Sequence, residues 1–145
     1  DFRSLVQVNS FGVINFCKEA VKKIRPGGSI ILLTSPAGIH GAKGMTAYAL
    51  SKGGIVAFGK SLALELAPRK IRVNIISPGL VKTEMTDRLY GKLAEEQRKK
   101  INEAYPLGIG SVNDITNTIK FLASDEASWI TGIVLPVDGG LTAGS

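Results

Sequence analysis

Cysteine is nearly absent. The only one is Cys17, so no disulfide can close within the chain, and a reducing, cytoplasmic setting is expected. Cys17 falls in a helical apolar pattern and reads as a small core residue. The only histidine, His40, sits in a Gly-rich loop with no second ligand type at metal spacing, so no metal site is expected. Aromatic residues are 6% of the chain, and the 18 basic residues are scattered, densest at Arg98, Lys99 and Lys100. A net charge of +6 and a pI near 9.6 therefore read as a solvated basic surface, not a nucleic-acid interface. No apolar run reaches the roughly 18 residues that span a membrane, and no signal peptide is visible. An initiator Met is also missing. The chain opens DFRSLVQVN directly in helical periodicity, as a chain cut from something longer would.

What is present is a globular composition of 145 residues, 44% hydrophobic and 21% charged, enough for one domain's core. Residues 2–25 carry Phe2, Leu5, Val6, Val13, Ile14, Cys17, Val21 and Ile24 at three- and four-residue spacing, which predicts one long amphipathic helix stopped at Pro26-Gly27-Gly28. Residues 29–34 (SIILLT) form a continuous apolar run, as in a strand buried on both faces. A loop follows over 35–46. A second helix is expected over 47–67, with Ala47, Leu50, Ile55, Phe58, Leu62 and Leu66 on one side. Its Ala49, Gly53, Gly54, Ala57 and Gly59 need a reason, since glycine costs up to ~1 kcal/mol inside a helix; a neighbouring helix or a ligand in close approach would supply one. Residues 71–77 (IRVNIIS) predict another buried strand, broken by Pro78-Gly79. A charged stretch over 84–104 looks helical, 112–124 predicts a shorter helix, and 133–137 a last strand before Asp138-Gly139-Gly140.

Strands alternating with helices in the order α-β-α-β-α-α-β argue for an α/β fold with a parallel sheet covered on both faces. With three strands, the sheet leaves an edge unpaired where a doubly wound domain would continue. No repeat, linker or low-complexity segment interrupts the chain.

The chemistry concentrates in Ser35 to Lys52, SPAGIHGAKGMTAYALSK. Tyr48 and Lys52, four apart on a helix, share a face. An ammonium beside a phenol favours the phenolate and makes tyrosine a usable general acid or base. Ser35, just after a strand, can hydrogen-bond the same reacting oxygen. Taken alone, the pair reads first as a surface pair, and the serine as a turn residue or helix cap.

The wider order is more specific. Asn9 lies in the first helix, Ser35 ends a strand, Tyr48 follows thirteen residues later and Lys52 four after that. Then come Ser77-Pro78-Gly79 with Thr83, Thr131-Gly132, and Val137-Asp138-Gly139-Gly140. This ordered set resembles the C-terminal part of the short-chain dehydrogenases/reductases, and LALELAPRKIRVNIISPGLVKTEM and FLASDEASWITG are nearest in style to their 3-oxoacyl-[acyl-carrier-protein] reductase-like branch.

The resemblance implies the C-terminal half of a Rossmann-type doubly wound parallel sheet, residues 1–145 being a single partial domain. It implies an oxidoreductase moving hydride between NAD(P)(H) and a carbonyl or secondary alcohol. Asn9, Ser35, Tyr48 and Lys52 match the catalytic tetrad. By resemblance, Tyr48 carries the proton, Lys52 supports it and holds the nicotinamide ribose, Ser35 polarises the substrate oxygen, and Asn9 holds a relay water. Pro78, Gly79, Val81 and Thr83 border the nicotinamide, and the segment after Thr83 corresponds to a substrate lid. Two departures stand out. Pro36 follows Ser35 where a small or polar residue is usual. The Gly-rich pyrophosphate turn that anchors NADP or NAD is not among these residues, since Gly27-Gly28 follows a helix instead of opening one. A truncated form, inactive alone, is therefore expected. A non-catalytic oligomerisation module, pairing as homodimer or homotetramer through helices 2–25 and 47–67, is the alternative. The substrate is a small carbonyl or alcohol, or an acyl-carrier-protein thioester docked on Arg25 and Arg69. Thr83 also suits a helix N-cap, and Asp138-Gly139-Gly140 a turn.

Overall fold

The computed structural model describes residues 1–144. Its sheet has three parallel strands in the order β1 (Ser29–Leu33), β2 (Arg72–Pro78) and β3 (Val134–Val137), as the alternating pattern predicts. Register runs from Ser29 against Arg72 to Leu33 against Ile76, then from Ile75 against Val134 to Pro78 against Val137. Residues 72–77 of β2 are all buried, Arg72, Asn74 and Ser77 together with Val73, Ile75 and Ile76, as expected of a central strand covered on both faces. The outer edge of β1 pairs with no strand among the described residues.

Alternate β2 side chains serve opposite faces. Val73 and Ile75 pack with Leu32 against the helices α2 (Gly12–Lys23) and α3 (Thr46–Leu66), through Cys17, Ile55, Leu62, Ala63 and Leu66. Ile76 packs on the other face with Leu122 of α6 (Val112–Ala123) and Ala127. On that face β2 also carries polar groups, each satisfied. The buried Arg72 guanidinium donates to the Leu122 carbonyl at 2.6 Å and the Ser124 carbonyl at 3.0 Å, and so caps the negative end of α6. Asn74 Nδ2 donates to Ile130 O at 2.8 Å.

Several expectations change in detail. The first helix is not continuous: α1 (Phe2–Val6) passes into a π-helical turn, Gln7–Phe11, before α2 begins. Gly12 N donates to Gln7 O, five residues back, so one extra residue is inserted and the apolar stripe is re-aimed. The 84–104 stretch is two short helices, α4 (Glu84–Tyr90) and α5 (Glu95–Glu103), parted at Gly91. Leu50 does not join the buried stripe of α3 but is 59% exposed, because the stripe follows Ser51, Ile55, Gly59, Leu62 and Leu66. The small residues of α3 divide between two roles. A Cβ on Gly59 would come within 2.7 Å of Ile75 Cγ1, so glycine there lets the helix settle on the sheet, whereas Gly54 faces open space. Arg69 is not free for docking: its guanidinium donates to Val21 O at 2.8 Å and Ile24 O at 2.6 Å, capping the chain where α2 ends.

Candidate active site

All three strands point the same way. Their C-terminal ends therefore bring Ser35, Pro78-Gly79 and Asp138-Gly139-Gly140 to one rim of the sheet, the side on which open α/β folds bind ligands. The first turns of α3 lie against that rim. Thr34, buried at the end of β1, donates from Oγ1 to Lys52 O at 2.8 Å. Lys52 Nζ reaches back to Leu33 O at 3.4 Å. Gly38 touches the same turn: a Cβ there would lie 2.7 Å from Gly53 N and from the Lys52 carbonyl carbon. The absence of a side chain thus lets the Ser35 loop close onto α3 beside Lys52.

Ser35 has extended backbone (φ −157°, ψ 154°) and its Oγ accepts from Ala37 N at 3.3 Å, capping the 3-10 turn Pro36–Gly38. Pro36 occupies the first position of that turn, where a missing N–H costs nothing. The Ser35 hydroxyl proton is left to aim elsewhere. Tyr48 and Lys52 share one face, with Lys52 Nζ 5.9 Å from the centre of the Tyr48 ring. Burial lowers the Lys52 pKa from its ordinary 10.5, since desolvation penalises the ammonium. No carboxylate forms an ion pair with it among the described residues. A half-buried lone cation on a concave rim is a costly arrangement that marks functional sites more than structural ones.

Asn9 reaches the site through Ser51, not through Lys52. Its Nδ2 donates to Ser51 Oγ at 3.3 Å, and Ser51 Oγ donates to Tyr48 O at 2.8 Å. Ser10 Oγ donates to Ser51 O at 3.1 Å. Asn9 and Ser10 both lie on the π turn, so the inserted residue turns two polar side chains onto the helix that carries Tyr48 and Lys52. Ser51 and Thr34 escaped the sequence reading. Their signal was only position: a hydroxyl three residues after Tyr48, and one immediately before Ser35.

On the β2 side, Pro78 and Gly79 end the strand and Val81 bridges to Gly110. Thr83 is the N-cap of α4 in a reciprocal box: its Oγ1 accepts from Thr86 N at 3.2 Å while Thr83 N donates to Thr86 Oγ1 at 2.8 Å. Asp138 is buried and holds its turn by accepting from Gly140 N at 3.1 Å and Thr142 Oγ1 at 2.6 Å. A cavity of about 370 Å³ lies between the 80–81 loop, Gly108–Gly110 and the Pro136–Gly140 end of β3. No described group of His, Cys, Asp and Glu is arranged to hold a metal, and no described helix is long and apolar enough to cross a membrane.

The cost of holding Lys52 makes a stability prediction. The unfolded chain binds the Lys52 proton more tightly than the folded one, so this group's contribution rises as pH climbs from the lowered pKa toward 10.5. Lys52→Met is expected to be more stable than wild type at pH 7. Urea unfolding should show that gap narrowing as pH approaches 10.5; a widening gap contradicts the burial argument.

Comparison with known proteins agrees with this architecture. The family described as Enoyl-(Acyl carrier protein) reductase matches residues 1–142. The 3-oxoacyl-[acyl-carrier-protein] reductase FabG of Rickettsia felis is 41% identical over 144 residues, covering 97% of this chain and 58% of that protein. The FabG of Thermotoga maritima is likewise 41% identical, and carbonyl reductase family member 4 of Xenopus laevis is 40% identical. The crystal structure of a short chain dehydrogenase family protein from Francisella tularensis superposes with a TM-score of 0.88 at 34% identity, covering 99% of this chain and 64% of that one. The chain thus spans between half and two thirds of the length of the relatives it matches. With its parallel α/β sheet and this match along its length, the chain belongs to the short-chain dehydrogenase/reductase family, on the 3-oxoacyl-[acyl-carrier-protein] reductase-like branch.

Proposed function

We propose that residues 1–145 are the proton-transfer part of a Rossmann-type domain that interconverts a carbonyl and a secondary alcohol with NADP or NAD. The observation that carries this reading is the half-buried, carboxylate-free Lys52 on one face with Tyr48, held against the Ser35 loop at the strand-end rim. These donors fit the group. An ammonium and two hydroxyls suit ribose hydroxyls and a substrate oxygen, and Pro78, Gly79, Val81 and Thr83 line the adjoining strand end. The nicotinamide, when bound, supplies or accepts the hydride. Tyr48 Oη gives its proton to the substrate oxygen in reduction and takes it back in oxidation. The Lys52 ammonium stabilises the phenolate that remains and holds the ribose. The Ser35 hydroxyl, its oxygen already fixed by Ala37 N, donates to the same substrate oxygen. Asn9, through Ser51, sets the helical turn bearing Tyr48; a water relay from Asn9 to Lys52 belongs to the same proposal.

The 145 residues contain no strand-to-helix Gly-rich turn for the pyrophosphate. By itself the chain is therefore expected to bind NADPH or NADH with a Kd above about 1 mM, close to −4 kcal/mol, and to turn over little. Fluorescence titration of the chain measures this, and micromolar affinity contradicts it. The functional test is a hybrid in which this chain replaces the matched part of the Thermotoga maritima relative. It should oxidise NADPH or NADH in the presence of an acetoacetyl thioester. An acyl-carrier-protein substrate would meet Arg25, which is exposed, and not the engaged Arg69. The lone buried Cys17 suits a cytoplasmic setting.

A second reading draws on exposed apolar side chains along the first and third helices. Phe2 is 53% exposed, Val8 70%, Phe11 52% and Leu64 78%. On that reading the chain is an assembly module pairing through these helices. Light scattering separates the two: a monomer at high concentration removes the assembly reading.

A further inference from the structure

Residues 84–104 leave the sheet and return to it at a single patch. On the outgoing side, Thr86 Oγ1 donates to Val81 O at 2.7 Å, tying the first turn of α4 to the loop before it. On the return, Lys82 N donates to Gly110 O at 2.9 Å and Gly110 N to Leu80 O at 3.1 Å. Between these ties lies Tyr105. Its Oη accepts the Leu80 N–H at 3.0 Å, a bond spanning 25 residues. Its ring fills the space two glycines leave open: a Cβ on Gly79 would fall 2.9 Å from Tyr105 Cε1, and one on Gly139 would lie 3.8 Å from Cδ1. The ring therefore sits between the loop that follows β2 and the turn that follows β3. Leu107 N, donating to Gly139 O at 3.0 Å, holds the same segment from the other side.

We propose that Tyr105 is a positioning residue whose hydroxyl latches the returning end of the 84–104 lobe onto Leu80 N–H and thereby fixes the path of Pro78–Thr83. Its importance for catalysis rests on the hydride-transfer reading, which sets that loop beside the nicotinamide. The latch itself is a matter of geometry. Through it, the returning end of the α4–α5 segment is held to the loop that leads into Val81 and Thr83. Phenylalanine at 105 keeps the packed ring and removes only the acceptor, so it frees the Leu80 N–H without opening a cavity while the backbone bonds to Gly110 remain.

Amide hydrogen exchange of the full, nitrogen-15-labelled chain tests this. In Tyr105→Phe the Leu80 amide should exchange faster by about tenfold or more, as loss of one amide–hydroxyl bond allows. The Val81 and Thr83 amide resonances should shift, while exchange at Val73 and Ile75 in β2 stays at the wild-type rate. Tyr105→Leu, lacking ring and hydroxyl, should release Leu80 at least as far. Wild-type exchange at Leu80 in Tyr105→Phe overturns the latch, as does acceleration shared equally by Val73 and Ile75. None of these readings depends on turnover; in the hybrid, Tyr105→Phe should in addition raise the KM for NADPH or NADH several-fold more than it lowers kcat, and unchanged KM and kcat would overturn the positioning role. A hybrid that fails to turn over would count against the hydride-transfer reading and leave the Leu80 result standing.

Discussion

In the hybrid with the Thermotoga maritima relative, Tyr48→Phe should lower the rate of carbonyl reduction by about 10²–10⁴-fold, the usual contribution of a positioned proton donor. Affinity for the nicotinamide should change little, because phenylalanine keeps the ring and its packing and loses only the hydroxyl. Lys52→Met should lose a comparable factor and also weaken cofactor binding, if, as proposed, the ammonium serves both the phenolate and the ribose. The two losses should not add. In that proposal Lys52 acts on the proton through Tyr48, from whose ring centre Nζ lies 5.9 Å, so a double variant has little further to lose. Losses that multiplied would mean that the two side chains act on different steps. Lys52→Met should at the same time be the more stable protein, as its unfolding at pH 7 is expected to report. A residue whose removal stabilises the fold and stops the chemistry is there for the chemistry.

Gly38→Ala is expected to be the most damaging small change in the site. The added methyl would stand 2.7 Å from Gly53 N and the Lys52 carbonyl carbon and 2.8 Å from Lys52 Cβ. The first two are backbone atoms of a helix anchored on the sheet, so they cannot swing aside as a side-chain terminus would. The Ser35 loop must lift instead. The expected cost is about 1–3 kcal/mol, or roughly 3–10 °C in melting temperature, with loss of turnover beyond what instability explains. Gly59→Ala is the informative contrast. Its methyl would approach Ile75 Cγ1 and Cδ1 and Leu32 Cδ1, all side-chain atoms. Rotamer changes relieve part of that clash, and alanine restores helix propensity. Thermal unfolding of the two variants should rank Gly38→Ala as the less stable, and the reverse order would show that the Ser35 loop is free to move.

How much of this was legible beforehand depended on whether local signals carried it. β2 was legible because IRVNIIS is rich in β-branched residues and Pro78-Gly79 punctuates it; the observed strand, Arg72–Pro78, is displaced by one residue. The faces of α3 were less legible. Its sequence is apolar nearly all round, so Leu50 looked like core, and only packing on β1 and β2 chooses Ser51, Ile55 and Gly59 instead. The π turn at Gln7–Phe11 left no mark in composition. It accompanies the seating of Asn9 and Ser10 on Ser51, contacts more than forty residues away in sequence. Gly91 did signal the break between α4 and α5, but a charged run on both sides concealed it. Among the proposed site residues, Tyr48 and Lys52 read by spacing alone as a surface pair and Ser35 as a turn residue; only their order with Asn9 and Pro78-Gly79 set them apart, and the structure shows the pair on one face beside the Ser35 loop. Arg69 misled, because a basic residue near a helix end is as well suited to capping α2 as to meeting an acidic partner.

Ser35, Tyr48 and Lys52 are proposed to form one proton-transfer site in a hydride-transferring enzyme. The most direct test is NADPH and NADH oxidation by the hybrid with an acetoacetyl thioester, measured for the wild-type sequence and for Tyr48→Phe at saturating cofactor. Turnover is expected in the first and its near-complete loss in the second, with cofactor still bound. Equal turnover in both would contradict the proposal.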